Sequence, residues 1–371
     1  VFVFRFISLV FVGFGAEKFS FQMGITGLLS AVGRGQETKM SQLRNKSVAI
    51  DGHCFLHRSC LFAPEQLLLK NDTSRIVKYM RAMVDDILKA TQANVFLVFD
   101  GGCLPLKAET DNERRSKRAE HLREYERLKD EQPSEARDHL VHAFHISAAH
   151  LSDISQQLLA AYQKEKRFFL IHAPYEADAQ VAFLNRAGLA DVIITNDSDI
   201  LLYDVSSVLF AYDPKVCAGR LVANADIYSE QFAGLSIQQV RKICILSGCD
   251  YVSSLKGVGL KGAHKALVAA GFDETKAVDA LLKLGKPCQY DSVEEYQRLV
   301  RAAKVCFEMH VIYNPFSGKL ESFMQKEAEE IGFPGKFYGD TAKEMALHSQ
   351  ETCRLKLAQF VGQKYDASFR K

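Results

Sequence analysis

The sequence predicts an α/β fold whose central, mostly parallel sheet carries helices on both faces. Three observations lead there. Apolar runs of four to six residues, rich in Val, Ile or Phe, recur along the 371-residue chain. Longer stretches of helical periodicity separate them. An acidic residue closes or closely follows each run. Strands alternating with helices give a parallel sheet buried on both faces, and the loops at the carboxyl ends of its strands form a binding crevice.

The chain opens VFVFRFISLVFVGFGAEKFS, interrupted by Arg5 and Ser8. No run of eighteen apolar residues occurs and no small-residue cleavage pattern follows, so residues 1–22 read as upstream sequence outside the functional fold. Met23-Gly24 then looks like a fresh start. Myristoylation there is rejected, because Leu28 stands where that signal needs Ser or Thr.

KSVAID ends at Asp51 and NVFLVFD at Asp100, with a helical pattern over 74–92 between them. Residues 107–130 hold eight Lys or Arg and seven Asp or Glu. Composition favours a solvated helix laced with i,i+4 pairs over a helical arch that contacts phosphates. Pro133 breaks the pattern, and a second helix carries His139, His142, His145 and His150. Their two spacings of three lack a partner cluster, so they read as surface histidines rather than zinc ligands. A helical pattern follows over 150–164. RFFLIHAPYEAD then supplies Glu176 and Asp178, and DVIITNDSD supplies Asp197 and Asp199.

Taken singly, each of these acids reads equally well as a helix N-cap. Four consecutive strand ends carrying acids place them together at one edge of the sheet. Like charges so gathered are costly unless cations neutralise them, and an all-oxygen ligand set suits magnesium or manganese rather than zinc.

Residues 236–270 contain GVGLKG, Gly257 to Gly262. It matches the dinucleotide fingerprint in letters only. A helix and a polar turn precede it, not a buried strand, and no acid closes a second strand about twenty residues on. The pattern is helix, glycine hairpin, helix. Glycines let backbone amides approach a phosphate, and Lys256, Lys261 and Lys265 add charge. Such a contact positions a duplex without reading its sequence. Beyond residue 275 the chain reads as helical, ending in a polar, basic tail.

Net charge is only +2, so any nucleic-acid surface must be local. Nine scattered cysteines without a CxxC argue against a disulfide framework or zinc ribbon and for a reducing compartment.

From Met23 to about residue 330 the chain resembles the flap-endonuclease and xeroderma-pigmentosum-G superfamily of structure-specific 5′ nucleases, and within it the exonuclease 1 group. MGITGLL resembles the family's amino-terminal motif, and VAIDGHCFLHR and VFLVFDGGCLPLK its N-region strands. APYEADAQVAFL and ITNDSDILL resemble its internal region, and LSGCDYVSSLKGVGLKGA its helix–two-turn–helix. Each motif is weak alone; all of them in this order are specific. The resemblance implies a 5′ nuclease (PIN-like) fold with a helical arch. Residues 23–120 would be the N-terminal nuclease region with the start of the arch, 121–235 the internal region, 236–275 the duplex-binding motif, and 276–371 a helical C-terminal part and tail.

The resemblance implies metal ligands at Asp51, Asp100, Glu176, Asp178, Asp197, Asp199 and Asp250, holding two Mg2+ ions, with Mn2+ able to substitute. Asp100, Glu176, Asp178 and Asp197 are expected as inner ligands, the other three partly through water. It implies Lys107 and Arg114 as the catalytic basic pair. DNA contacts are implied at Gly24, His53, His57, Lys256, Gly257, Gly259 and Lys261, and a K+ site at Ser247, Ser254, Lys256 and Val258. Gly24, first after Met removal, is expected close to the active site, so the protein is expected to begin at Met23. Two positions depart from the family's pattern: Asn196 replaces the usual Glu before Asp-x-Asp, and His53 replaces an aromatic.

The implied activity is a metal-dependent 5′→3′ DNA exonuclease with 5′-flap endonuclease activity, acting at duplex ends, nicks or gaps in repair. The implied setting is the nucleus, as a monomer with no membrane contact. Mismatch-repair partners would be reached through a C-terminal region not present here. The competing readings are a flap endonuclease specialised for replication flaps, an inactive DNA-binding scaffold, and a haloacid-dehalogenase-like phosphatase built on DSDIL. The last leaves Asp51, Asp100 and the glycine hairpin unexplained.

Overall fold

The computed structural model describes residues 24–323 except residue 63. The expectations for residues 1–22, for the start at Met23 and for the tail beyond 323 lie outside the described residues.

Seven strands form the sheet: β1 (Gln36–Lys39), β2 (Val48–Asp51), β3 (Val95–Phe99), β4 (Phe168–His172), β5 (Val192–Ile194), β6 (Ser207–Asp213) and β7 (Ala218–Ala223). Their order is β1-β7-β6-β5-β2-β3-β4. The pairs β6–β5, β5–β2, β2–β3 and β3–β4 are parallel, while β7 runs antiparallel to both β6 and β1. The sheet is mostly parallel, as expected. The four predicted strands lie side by side as β5-β2-β3-β4, ending at the β4 edge, and β6, β7 and β1 extend the sheet on the other side.

Side-chain alternation explains why these runs are almost wholly apolar. Val48, Ile50, Val95, Leu97, Phe99, Phe168, Leu170, Val192 and Ile194 point to one core. Ala49, Phe96, Val98, Phe169, Ile171 and Ile193 point to the other. A strand buried on both faces has no solvent side on which to place polar residues. Helices Gly52–Cys60, Ser74–Thr91 and Ala148–Ala161 cover the first face, and Ala177–Arg186, Ile237–Leu246 and Val293–Met309 the second. In Ser74–Thr91, Ile76, Val77, Met80, Met83, Val84, Ile87 and Leu88 are buried, the stripe that a 3.6-residue period requires.

The chain runs from β2 to β3 to β4 on one side, then returns to place β5 on the other side of β2. That reversal opens a crevice at the carboxyl ends of β2 and β5.

The charge-dense segment forms helix Ala108–Leu128, followed by Pro133–His142 with its proline in the first turn. Residue 120 lies within the first of these helices. The partner that the histidine spacing lacked is His121, whose Nδ1 is 3.0 Å from Nδ1 of His139 and whose ring stacks on His142 at 4.9 Å. Among the described residues, no group of three or more such side chains is arranged to hold a metal.

Helices Ile237–Leu246 and Leu260–Ala269 flank the glycine turn, as expected. Beyond residue 275 the helical expectation needs correction. Glu274–Lys283, mostly past that point, and Val293–Met309 are helices, but β8 (Val311–Asn314) and β9 (Lys319–Ser322) then form an antiparallel hairpin. Two four-residue strands carry too little alternation to stand out in sequence. No helix among the described residues is long and apolar enough to cross a membrane.

Candidate active site

Each acid is placed by the element that it ends or begins. Asp51 closes β2 and caps the next helix: its carboxylate accepts from the His53 N–H at 2.9 Å, Thr195 Oγ1 at 2.9 Å and Cys54 Sγ at 3.2 Å. Asp100 follows β3, and its Oδ1 accepts from the Ala177 N–H at 2.7 Å. That bond draws the start of helix Ala177–Arg186 to the end of β3. Glu176 is that helix's N-cap residue and Asp178 lies in its first turn. Asp197 opens the 3-10 turn Ser198–Tyr203 and accepts from the Asp199 N–H at 2.9 Å. Helix and turn N-termini favour negative charge, which offsets part of the cost of collecting it. Asp250 arrives from the turn after helix Ile237–Leu246.

The foot of the arch reaches this cluster. Lys107 Nζ lies 2.6 Å from Glu176 Oε1 and 2.9 Å from Asp250 Oδ2. Arg114 holds both Asp250 oxygens, at 3.1 and 2.9 Å, and Thr110 Oγ1 donates to the Asp250 carbonyl at 2.9 Å. Burial opposes ionisation of Glu176 and Asp250, but Lys107 overrides it, aided by His310 at Glu176 and by Arg114 at Asp250. Both carboxyls are held below their ordinary range. Burial likewise opposes the Lys107 charge, and the two carboxylates more than restore it.

The remaining buried acids have no such partner. Burial raises Asp51, and Asp100 adds to it. Burial raises Asp178 well above its ordinary value, with Asp197 and Asp51 adding to it. Asp199 is raised well up by burial and by Asp197. Burial pushes Asp197 up to about 6 against the pull of the Asp199 N–H. Oxygen donors alone, gathered against their own repulsion, fit hard divalent cations. Among the described residues the carboxylates share one edge without any three being arranged around an ion-sized point.

Gly24 lies against the cluster. It has φ +84, and a Cβ there would clash with Asp197 Oδ1, Ser198 Oγ and Asp199 Oδ1. The next N–H, of Ile25, donates to Asp199 Oδ1 at 2.8 Å. His53 sits at the rim, its Nδ1 3.3 Å from Asp100 Oδ2 and its ring edge-on to Phe99. His57 is exposed on the same helix, edge-on to Phe144 at 5.7 Å. Asn196 serves the backbone instead of the cluster. Its Oδ1 accepts at 3.0 Å from the N–H of Ala211, which sits at an irregularity in β6 with φ 51.

In the hairpin, Lys256, Gly257, Gly259 and Lys261 are exposed and Val258 is buried. Gly257 has φ 76, and Gly259 caps helix Leu260–Ala269 without a side-chain bond. Ser247 caps the preceding helix and donates to the Cys244 carbonyl at 2.8 Å, with half-buried Ser254 across the turn.

Three contacts had no signal in the sequence. The Tyr251 hydroxyl donates to Glu176 Oε2, His310 Nε2 is 3.3 Å from the same oxygen, and Thr195 reaches Asp51. A tyrosine after Asp250 and a lone histidine far along the chain belong to no spacing pattern.

The model of the XPG N-terminal domain matches residues 23–121, and that of the XPG I-region matches residues 167–250. The chain carries the two XPG regions in order. It is 32% identical over 318 residues to Exonuclease 1 of Drosophila melanogaster, covering 83% of this chain and 42% of that protein. To Exonuclease 1 of Danio rerio it is 32% identical over 310 residues, 80% of this chain and 37% of that one. The chain thus spans less than half the length of these curated relatives. Among XPG-type structures, the catalytic core of Rad2 in complex with DNA substrate superposes with a TM-score of 0.52 at 19% identity, over 91% of this chain and 99% of that one. That likeness establishes the 5′ nuclease fold and, at this identity, nothing finer.

Proposed function

We propose that the chain is a divalent-metal-dependent 5′→3′ DNA exonuclease with 5′-flap endonuclease activity. One observation carries the reading: acids from four strand ends and from the hairpin turn share one edge of the sheet, with Lys107 and Arg114 facing them from the foot of the arch. Its relatives are named Exonuclease 1.

Asp100, Glu176, Asp178 and Asp197 would hold two Mg2+ ions directly, and Asp51, Asp199 and Asp250 partly through water; Mn2+ can take their place. When bound, such ions activate water and relieve charge on the leaving oxygen. The protein's own groups do the rest. Lys107 and Arg114 offset negative charge building on the scissile phosphate. Gly24 lets the chain pass closely beside Asp197 and Asp199, and His53 and His57 line the approach of the terminal nucleotide. The hairpin grips the duplex: backbone amides at Gly257 and Gly259 meet a phosphate, and Lys256 and Lys261 add charge. Ser247, Ser254, Lys256 and Val258 would seat a K+ ion there.

The partner is double-stranded DNA with 5′ ends, nicks or flaps, met in the nucleus by a monomer. Mismatch repair and end resection are the proposed setting, with protein partners engaged through sequence outside this chain. The test compares a duplex with a recessed 5′ end against a 5′-flap duplex, for the chain starting at Gly24 and for its Asp197→Ala variant. Magnesium-dependent, stepwise release from the recessed end, lost in the variant, supports the reading. Cleavage chiefly at the flap base moves the protein to the flap-specialised reading. Tight binding with no cleavage leaves the scaffold reading.

A further inference from the structure

We propose that Tyr251 and His310 form a two-donor clamp that positions Glu176 as a metal ligand, so that the chain beyond the I-region completes the active site. The inference rests on the reading that Glu176 holds a cation.

Glu176 is shared in an ordered way. Its Oε1 faces Lys107 at 2.6 Å. Its Oε2 accepts from the Tyr251 hydroxyl and lies 3.3 Å from His310 Nε2. An ionised carboxylate only accepts, so this bond needs a hydrogen on Nε2, and because the Val311 carbonyl beside Nδ1 also only accepts, bonding to both partners needs a hydrogen on each ring nitrogen. With both donors on Oε2, the carboxylate plane is fixed and Oε1 is the oxygen left toward Lys107 and Asp250. An acid at the N-cap of a helix, free to rotate about its side chain, would otherwise visit several geometries. Groups that orient a ligand in this way commonly govern metal affinity.

Tyr251 directly follows Asp250 in its turn, whereas His310 comes from a segment that carries none of the clustered acids. Tyr251 is buried edge-on to Phe307 at 5.1 Å, and Phe307 belongs to helix Val293–Met309. His310 follows that helix directly and is fully buried, its Nδ1 3.1 Å from the Val311 carbonyl oxygen and its ring edge-on to Tyr175. The register between His310 and Glu176 is set by a second pair. Gln180, four residues after Glu176 and fully buried, donates to the Tyr313 carbonyl at 2.9 Å and accepts from the Tyr313 N–H at 2.8 Å. That two-way bond keys β8 to the helix that Glu176 opens. The Phe323 N–H closes the hairpin onto the His310 carbonyl at 2.7 Å. A tyrosine and a histidine buried only to fill space would not need this keyed register, nor both aim at one carboxylate oxygen.

The test is Mn2+ binding to the full chain, followed by the electron paramagnetic resonance signal of the free ion, with thermal unfolding of each sample in parallel. The wild type and Glu176→Gln establish the underlying reading: an ion bound by the wild type and weakened in Glu176→Gln. A wild type that binds no Mn2+, or a Glu176→Gln that binds equally well, overturns that reading and the clamp with it. Given binding, Tyr251→Phe and His310→Leu are each expected to weaken Mn2+ by roughly 10- to 100-fold. His310→Gln, whose amide also donates, recovers most of the His310→Leu loss. In a cleavage assay the variants need more Mn2+ for half-maximal rate but approach the wild-type rate at saturation. Folded Tyr251→Phe binding Mn2+ within about twofold of wild type contradicts the clamp, whether or not His310→Leu folds. So does a His310→Gln as weak as His310→Leu.

Discussion

Asp197 shows what it costs to assemble this site one residue at a time. Its carboxyl is pushed from an ordinary 3.8 up to about 6, with burial the main cause. A raised carboxyl favours the folded state while protonated. That contribution is complete below the ordinary value and is lost as pH rises through about 6. Asp197→Asn, compared with wild type in a chelator, should therefore gain thermal stability between about pH 4 and pH 6 and hold that gain above. Taking the difference cancels opposing titrations elsewhere, such as buried His172, whose lowered value acts in the other direction. A shift of this size corresponds to stability on the order of 2–3 kcal/mol. A gain that shrinks as pH rises would contradict the assignment. Gly24 makes the opposite case: Gly24→Ala forces a left-handed residue and a clash with Asp197, and should lower both the unfolding midpoint and cleavage. Lys107→Ala should reduce turnover about 10²- to 10³-fold, the usual cost of losing one such charge in a preorganised site. The strand-end acids were legible in the sequence because each ends or closely follows an apolar run, whereas Asp250, which follows a helix and a polar turn, was implied only by the family resemblance. Tyr251, His310 and Thr195 were not, because their partners lie far off in the chain and no spacing rule joins them.

At the scale of elements, β2, β3, β4 and β5 were readable because strands buried on both faces must be apolar runs, and helix Ser74–Thr91 because its stripe follows the 3.6 period. β1, β6 and β7 were missed: β1 reads Gln-Glu-Thr-Lys, with one buried residue of four. Composition favours a merely solvated helix over the arch. A polar helix far from the sheet and one anchored to it have the same residues, and only the contacts of Lys107, Thr110 and Arg114 distinguish them. The hairpin gives an element-scale prediction. Lys256→Ala with Lys261→Ala should weaken duplex binding evenly across sequences. The slope of log affinity against log salt should become shallower by about two, one for each phosphate that is no longer neutralised. An unchanged slope would remove these lysines from the interface.

For the whole molecule, the order of strands does the work that no motif states. Because β5 returns beside β2, acids separated by well over a hundred residues meet at one edge, and segments after the I-region close over it. The alternation of strand and helix in the sequence already implied that edge. The closing hairpin was illegible because it is short and its docking depends on Gln180, a buried glutamine that sequence alone would place on a surface.

The acid cluster is proposed to hydrolyse DNA from a 5′ end. The most direct measurement is single-turnover cleavage of a 5′-recessed duplex with magnesium, by wild type and Asp178→Asn, with DNA affinity taken on the same samples. Stepwise 5′ cleavage by wild type, lowered at least about 10³-fold in Asp178→Asn while binding stays within about threefold, is the predicted result. Cleavage that persists in Asp178→Asn, or that proceeds without a divalent ion, would contradict it.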